Sequence, residues 1–224
     1  EKMSKSKFNI VSPDDLCERY GADTLRLYEM FLGPLEQHKP WDTKGIEGTH
    51  RFLKKLWRLF TENGISEEPA TKSELKSLHK MIQKMEDDLD RFSFNTPVSN
   101  FMICCNELTD LKCNKREILE SFAIIISPYA PHIIEELWKK LGHSESISNA
   151  KFPKFEASYL AEENHSYPVS FNGKMRFKIE LPTTLSKEEI EAEVMGHELA
   201  QKWLEGKQPK KVIIVPKKIV NVVI

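Results

Sequence analysis

The residues best suited to chemistry in this chain stand together at its beginning. Residues 2–7 read Lys-Met-Ser-Lys-Ser-Lys and carry three ammonium groups and two hydroxyls. Lysine ammonium groups are mobile charges that can follow negative charge during phosphoryl or nucleotidyl transfer, and serine hydroxyls add short hydrogen-bond donors. The segment therefore predicts a polyphosphate-binding loop. A solvated tail is the alternative that such a short pattern leaves open.

The residues after this loop predict a helical scaffold. Ser12 is expected to cap a helix that has Pro13 at its first position. Gly21 is expected to end that helix with a left-handed conformation, and Asp23 to cap the next one.

Several runs in the first 48 residues resemble a known family of enzymes. Residues 2–6 resemble the KMSKS signature of class I aminoacyl-tRNA synthetases, and residues 20–26 resemble the run that follows it. Residues 27–36, 39–41 and 45–48 resemble the leucine-specific members of the bacterial type. The resemblance covers nearly the whole chain and implies a C-terminal fragment of such an enzyme that starts at the signature loop.

The resemblance implies roles for four residues of the loop. Lys5, with help from Lys2, would contact the ATP phosphates as the catalytic lysine while leucine's carboxylate attacks the α-phosphate. Ser4 and Ser6 complete the implied ATP-binding set, although shaping the loop is their more direct role. ATP is expected as a substrate, with Mg²⁺ in the full-length enzyme and no cofactor on the fragment. Because the family's HIGH signature is absent from this sequence, we expect the fragment alone to be inactive.

Composition and cysteine usage exclude several classes of protein. With 40% hydrophobic and 30% charged residues, the 224-residue chain is ordinary globular material for two modest domains. A net charge of -1 means that any RNA contact must come from local patches. The apolar run at 122–126 is too short to span a bilayer. Cys17, Cys104, Cys105 and Cys113 show no CxxC pairing, which indicates reduced thiols in a cytoplasmic protein without a metal site.

Apolar residues recur at helical spacing through the middle of the chain. The helices predicted from this spacing lie at about residues 46–60, 73–91, 97–111, 117–127 and 131–141. Short polar turns between them predict an antiparallel bundle over residues 42–142. The resemblance implies that residues 1–41, which carry the signature loop, are the helical end of the catalytic domain. The resemblance implies that this bundle is of the anticodon-binding type.

The first helix of the bundle carries a basic face. Arg51, Lys54, Lys55 and Arg58 lie opposite its apolar residues. Such a face is typical of a solvated helix surface and also of a helix along a tRNA strand, and both interpretations stay open.

The last third of the chain predicts a connector and a small α+β domain. Residues 143–166 are rich in Ser, Glu, Asn and Pro and are expected to link the bundle to residues 167–224. Asn172-Gly173 between alternating runs predicts a hairpin with a type I′ turn. Ser186 to Glu189 form a capping box for one helix ending at Gly206, and two β-branched runs close a ββαββ order. The fold class is therefore mainly α, a bundle followed by this domain.

The terminal domain carries the chain's basic surplus. From His165 onward there are ten Lys and Arg against seven Glu. Lys174, Arg176 and Lys178 alternate along one strand, which predicts a common face; an ordinary solvent face is the alternative. The resemblance implies that this domain touches the outer corner of tRNA. The tRNA-binding residues expected on these grounds are Lys174, Arg176, Lys210, Lys211, Lys217 and Lys218.

The leading hypothesis is a piece of a ligase that joins leucine to tRNA(Leu) with ATP. Leucine and ATP would bind through the missing catalytic domain, and we expect a monomer because no long heptad seam is present. One alternative is a non-catalytic RNA-binding or assembly module. Another is a synthetase for isoleucine, valine or methionine.

Overall fold

The chain begins with two helices that lead into five more. The computed structural model describes residues 3–161 and 164–224. Helices α1 (Pro13–Tyr20) and α2 (Ala22–Phe31) meet at Gly21, whose φ of 88° is accessible to glycine at little cost. The five helices that follow are α3 (Ile46–Thr61), α4 (Lys72–Asp90), α5 (Thr96–Asp110), α6 (Arg116–Ile126) and α7 (Pro131–Lys140).

Helices α3 to α7 share one hydrophobic core, which confirms the predicted helical bundle. Leu56, Phe101, Phe122 and Leu137 are fully buried in it, one from each of four helices. These side chains come from the apolar stripes that the three-to-four spacing predicts, and the helix bounds agree within one or two residues.

Helices α1 and α2 share a second, smaller core with the start of α3. Leu16, Tyr28 and Ile46 are buried together, and Trp41 packs edge-on against Tyr28 with ring centroids 5.2 Å apart. A side chain at Gly45 would place its Cβ 2.5 Å from the Tyr28 hydroxyl, so glycine is required there. Leu27 is the residue of α2 that belongs to the bundle core.

The predicted helix starts are partly wrong. Gly21, not Asp23, stands at the N-cap of α2, and the Asp23 carboxylate accepts hydrogen bonds from another helix. Ser12 stands at the N-cap of α1 but makes no side-chain capping bond. Thr71 and Glu74 form a reciprocal capping box at α4.

The first part of the predicted connector packs on the bundle. Phe155 lies against the bundle core, and the backbone N–H of Glu156 donates to Nδ1 of His79 at 3.1 Å. The Tyr159 ring stacks on His79 with centroids 4.5 Å apart. The chain divides into two compact units after Leu160, and each unit is described by itself.

The second unit is a four-stranded sheet with two helices on one face. Its strands are β1 (Asn164–Phe171), β2 (Lys174–Pro182), β3 (Lys211–Val215) and β4 (Ile219–Val223), in the order β2-β1-β4-β3. Two antiparallel hairpins are joined by a parallel pairing of β1 with β4. The φ values of Asn172 (48°) and Gly173 (80°) are both positive, as the predicted type I′ turn requires.

The single helix expected between the hairpins is two helices, α8 (Lys187–Gly196) and α9 (Glu198–Leu204). The predicted capping box of Ser186 and Glu189 starts α8. The chain breaks at His197, which is extended (φ -71°, ψ 133°) and whose Nδ1 accepts from the N–H of Leu199 to cap α9. In the described ranges no helix is long and apolar enough to cross a membrane.

Candidate nucleic-acid interface

The residues of the predicted phosphate loop form a compact turn. Lys5–Lys7 is a single 3₁₀ turn, and Asn9 accepts a hydrogen bond from the N–H of Ser4 at 2.9 Å. The hydroxyls of Ser4 and Ser6 lie 3.1 Å apart and bond to each other. The Lys5 side chain is exposed beside them. Lys2, the second lysine predicted to contact ATP, lies outside the described residues.

The basic face predicted on α3 borders an open groove. Arg51, Lys54, Lys55 and Arg58 line it together with Asn63 at the end of the helix, and its volume is about 480 Å³. Lys55 Nζ donates to Asn106 Oδ1 of α5 at 2.6 Å, which holds this lysine in one position. Because α3 rises 1.5 Å per residue, these cations extend over about 10 Å, enough to meet two successive phosphates of an RNA strand.

A second depression lies beside the same basic face of α3. Lys54 borders it too, together with Tyr20, His50, Trp57 and the first turn of α7. Lys140 Nζ lies 5.3 Å from the Trp57 ring centroid, a cation–π distance. The exposed side of α3 therefore combines cations with aromatic surface.

The expected common face of Lys174, Arg176 and Lys178 is wrong. The register of β1 and β2 shifts between Val169 and Ser170, which leaves Arg176 opposite no residue: a β-bulge. Lys174 stands opposite Phe171 on the helix-covered side of the sheet, whereas Lys178 stands opposite Pro168 on the other side. A period of two cannot continue through an inserted residue.

The bulge brings Arg176 to an aromatic side chain of α9. Its guanidinium carbon lies 3.9 Å from the ring centroid of Trp203, which is 38% exposed. In the sequence, Trp203 stands at helical spacing from Leu199, a pattern typical of the apolar side of a helix. The sequence does not predict the pairing of Arg176 with Trp203, because the β-bulge that creates it has no recognisable sequence pattern.

The other predicted RNA-binding lysines fall into two groups. Because β1 runs parallel to β4 and antiparallel to β2, Lys174 and the strand start at Lys210 and Lys211 lie at one end of the sheet. Lys217 and Lys218 form the β3–β4 turn at the other end, about 15 Å away along a five-residue strand. All of these lysines are exposed.

Lys217 has a backbone conformation that is uncommon for lysine. Its φ is 55°, in the left-handed region that favours glycine. The N–H of Lys217 donates to the Tyr167 hydroxyl at 3.0 Å, which holds the turn against β1.

The cysteines take no part in these surfaces. Cys104, Cys105 and Cys113 are buried and free of disulfides. Burial raises the pKa of the Cys104 and Cys113 thiols to about 12 and that of Cys105 to about 11. They are therefore protonated and poor nucleophiles at neutral pH. Over residues 3–161 and 164–224, no group of three or more His, Cys, Asp or Glu residues could hold a metal ion.

Helices α4 to α7 and the hairpin after them match a known family. The model of the anticodon-binding domain of tRNA ligase matches residues 72–192, more than half of the chain. The chain belongs to this family. The match begins at the first residue of α4, so α3 and its basic face lie before it, although α3 shares the core of the matched helices.

Curated relatives extend the similarity beyond the matched domain. The chain is 62% identical over 226 residues to a leucine–tRNA ligase of Christiangramia forsetii and 63% identical over 226 residues to that of Flavobacterium johnsoniae. Each comparison covers 100% of this chain and 24% of the relative. The chain thus spans about a quarter of the length of these relatives.

A solved structure gives the same likeness in three dimensions. It is the crystal structure of the ternary complex of Agrobacterium radiobacter K84 agnB2 LeuRS with tRNA and LeuAMS. The TM-score is 0.73 at 26% sequence identity, and the match covers 99% of this chain and 31% of that one.

Proposed function

We propose that this chain is the C-terminal part of a leucine–tRNA ligase, which activates leucine with ATP and transfers it to tRNA(Leu). One observation carries the proposal. A KMSKS-type loop at residues 2–6 precedes a bundle of the anticodon-binding family, in a chain similar over its whole length to leucine–tRNA ligases.

The proposed role of the loop is to stabilise charge on ATP. A carboxylate oxygen of leucine attacks the α-phosphorus, the bond to the bridging oxygen breaks, and pyrophosphate leaves. Lys5, with Lys2, would meet the phosphates more strongly in the transition state than in the ground state, and losing one such contact costs about 3 kcal/mol. Mg²⁺ would accompany ATP. The mutual hydrogen bond of Ser4 and Ser6 supports a share in shaping this ATP-binding loop.

The proposed role of the remaining surfaces is to hold tRNA(Leu). The basic groove of α3 would follow the sugar–phosphate backbone of the tRNA body. In the terminal unit, Lys174, Arg176, Lys210 and Lys211 would form one contact at one end of the sheet, and Lys217 and Lys218 a second at the other. These Lys and Arg side chains are exposed and positively charged, which supports this role because phosphate contacts dominate the affinity of proteins for nucleic acids.

We propose a modular organisation for the chain. Residues 1–41 end the catalytic domain, 42–142 are the bundle, 143–166 the connector and 167–224 the tRNA-binding domain. The division into compact units after Leu160, inside the connector, supports it. The enzyme would act in the cytoplasm as a monomer.

Two measurements test the proposal. The full-length polypeptide that carries this chain should catalyse leucine-dependent pyrophosphate exchange, and the isolated chain should show none. Exchange driven by isoleucine, valine or methionine instead of leucine would overturn the assignment.

The second measurement is binding of the isolated chain to a leucine tRNA and to an unrelated tRNA at about 50 and 200 mM salt. Alanine at Lys174, Arg176, Lys210 and Lys211 is compared with alanine at Lys217 and Lys218. Salt-sensitive binding that is lost in either variant identifies that end of the sheet as an RNA contact. Binding unaffected by both variants contradicts the proposed role of the terminal unit.

A further inference from the structure

Helix α7 takes its N-terminal cap from a residue far away in the chain. It begins at Pro131 after Ala130, which makes no side-chain capping bond. The N–H of Ile133 donates to Oδ2 of Asp23 at 2.7 Å, and the N–H of His132 lies 3.4 Å from Oδ1. Asp23 thus meets two of the N–H groups that a helix start leaves without an intrahelical acceptor, across a separation of 109 residues.

The Asp23 carboxylate is held in a single place. It is only 6% exposed, and Nδ1 of His132 lies 2.7 Å from Oδ1, in addition to the two backbone donors. A carboxylate at the positive end of a helix is favourable, and burial keeps water from competing for it.

Asp23 links α2 to α7 of the bundle. Helices α1 and α2 share a small core with Ile46 of α3, and α2 gives the bundle core Leu27. The polar links to α3 are the Thr49 hydroxyl to the carbonyl of Thr24 at 3.4 Å and the Thr24 hydroxyl with Nδ1 of His50 at 3.3 Å. The links toward the start of α7 are the Asp23 carboxylate and Arg26 Nη2, which donates to the carbonyl of Pro128 at 2.8 Å. Asp23 and Arg26 both reach the segment that starts α7.

The same small core anchors the phosphate loop. Val11, four residues after Lys7, packs against it, and Asn9 accepts a hydrogen bond from the N–H of Ser4. A continuous path therefore runs from the loop through Val11 and α1 to α2, and from α2 through Asp23 to the bundle. A change in how α2 sits on α7 alters where the loop is presented.

We propose that Asp23 is a positioning residue for Lys5: by capping α7 from α2, it fixes the orientation of the phosphate loop relative to the bundle that holds tRNA. The inference rests on the proposed function and deepens it, because it assigns the bundle a part in the reaction at ATP. Asp23 itself touches no reacting atom.

A double-mutant cycle in the full-length polypeptide tests the proposal. Asp23→Ala is made alone and together with Lys5→Ala, and leucine-dependent pyrophosphate exchange is measured. If Asp23 acts through Lys5, its loss should lower kcat/KM for ATP about tenfold in the wild type but less than about twofold in the Lys5→Ala background. Asp23→Asn, which keeps one acceptor oxygen, should recover most of the loss. Glu29→Ala, which removes an exposed carboxylate from the same helix, is the matched control and should change little.

Equal losses in the two backgrounds would overturn the inference, because a merely structural role of Asp23 does not depend on Lys5. Thermal unfolding of each variant is measured in parallel. If Asp23→Ala does not fold, the cycle of Asp23→Ser with Lys5→Ala decides by the same criterion, because serine is polar but too short to reach both N–H groups of α7. Failure of the proposed function is recognised separately, since the wild type would then lack leucine-dependent exchange or Lys5→Ala would leave it unchanged.

Discussion

Arg176 and Trp203 stack, with the guanidinium carbon 3.9 Å from the centre of the indole ring. The β-bulge at Arg176 turns its side chain toward α9 instead of letting it alternate along the strand. Stacking covers the flat face of the guanidinium and leaves its N–H edge available. A preorganised guanidinium binds a phosphate at lower entropic cost than a mobile lysine does.

The first prediction separates the charge of Arg176 from its stacking. Trp203→Ala and Arg176→Lys should each weaken binding of the chain to leucine tRNA about threefold to tenfold, because cation–π contacts contribute about 0.5–2 kcal/mol. Neither should change the salt dependence. Arg176→Ala should also lower the slope of log K against log salt by about 0.9, one phosphate contact. Lys202→Ala, beside Trp203 on α9, is the control. An unchanged slope for Arg176→Ala would exclude a phosphate contact there.

The second prediction concerns the basic groove on α3. Lys54→Ala and Arg51→Ala should each reduce the salt slope of tRNA binding by about 0.9, without preference for the sequence of the tRNA. Lys80→Ala removes an exposed lysine from α4 and should have no such effect. Fluorescence anisotropy at several salt concentrations measures the slope for the wild type and for each variant. Equal slopes for the wild type and the three variants would mean that the α3 face is only solvated.

Local patterns were sufficient to predict most of the elements. The apolar spacing around Leu56 and Phe101 located helices of the bundle because burial of one stripe is what makes a helix stable in a protein. Asn172-Gly173 located the hairpin because few other residue pairs adopt two positive φ values. Ser186 and Glu189 located a helix start through a bond pattern confined to four residues.

Contacts between distant residues could not be predicted in this way. Asp23 was expected to cap its own helix, yet its acceptors serve a helix 109 residues later, and nothing at Ala130 signals the need. Lys178 was assigned to a common face with Lys174 because the bulge at Arg176 leaves no mark in the sequence. The break at His197 depends on its capping of α9 and its stacking on Phe177, 4.9 Å away.

The third prediction tests the hairpin turn. Gly173→Ala should destabilise the terminal unit by about 1–2 kcal/mol, because a φ of 80° is strained for a residue with a Cβ. Gly196→Ala is the matched control. Gly196 ends α8 without a positive φ and has no atom within 4 Å of an added Cβ, so alanine there should be neutral or stabilising by up to about 1 kcal/mol. Amide exchange of β1 and β2 measures the change in stability for each variant. Equal changes for Gly173→Ala and Gly196→Ala would contradict the assigned turn.

The last prediction is a pH dependence of the connector at His79. Burial lowers the pKa of His79 below its ordinary value of 6.5, although the nearby Glu156 opposes this. The neutral ring accepts the N–H of Glu156, whereas a protonated Nδ1 cannot. The stability from this contact is therefore complete above pH 6.5 and is lost as the pH falls below it, because the unfolded state then binds the proton more readily. Amide exchange of residues 156–160, corrected for intrinsic rates, should keep its protection above about pH 6.5 and lose it as the pH falls further. In His79→Phe, which keeps an aromatic ring against Tyr159 but cannot titrate, protection should not vary with pH. The same loss in that variant would assign the pH dependence to another group.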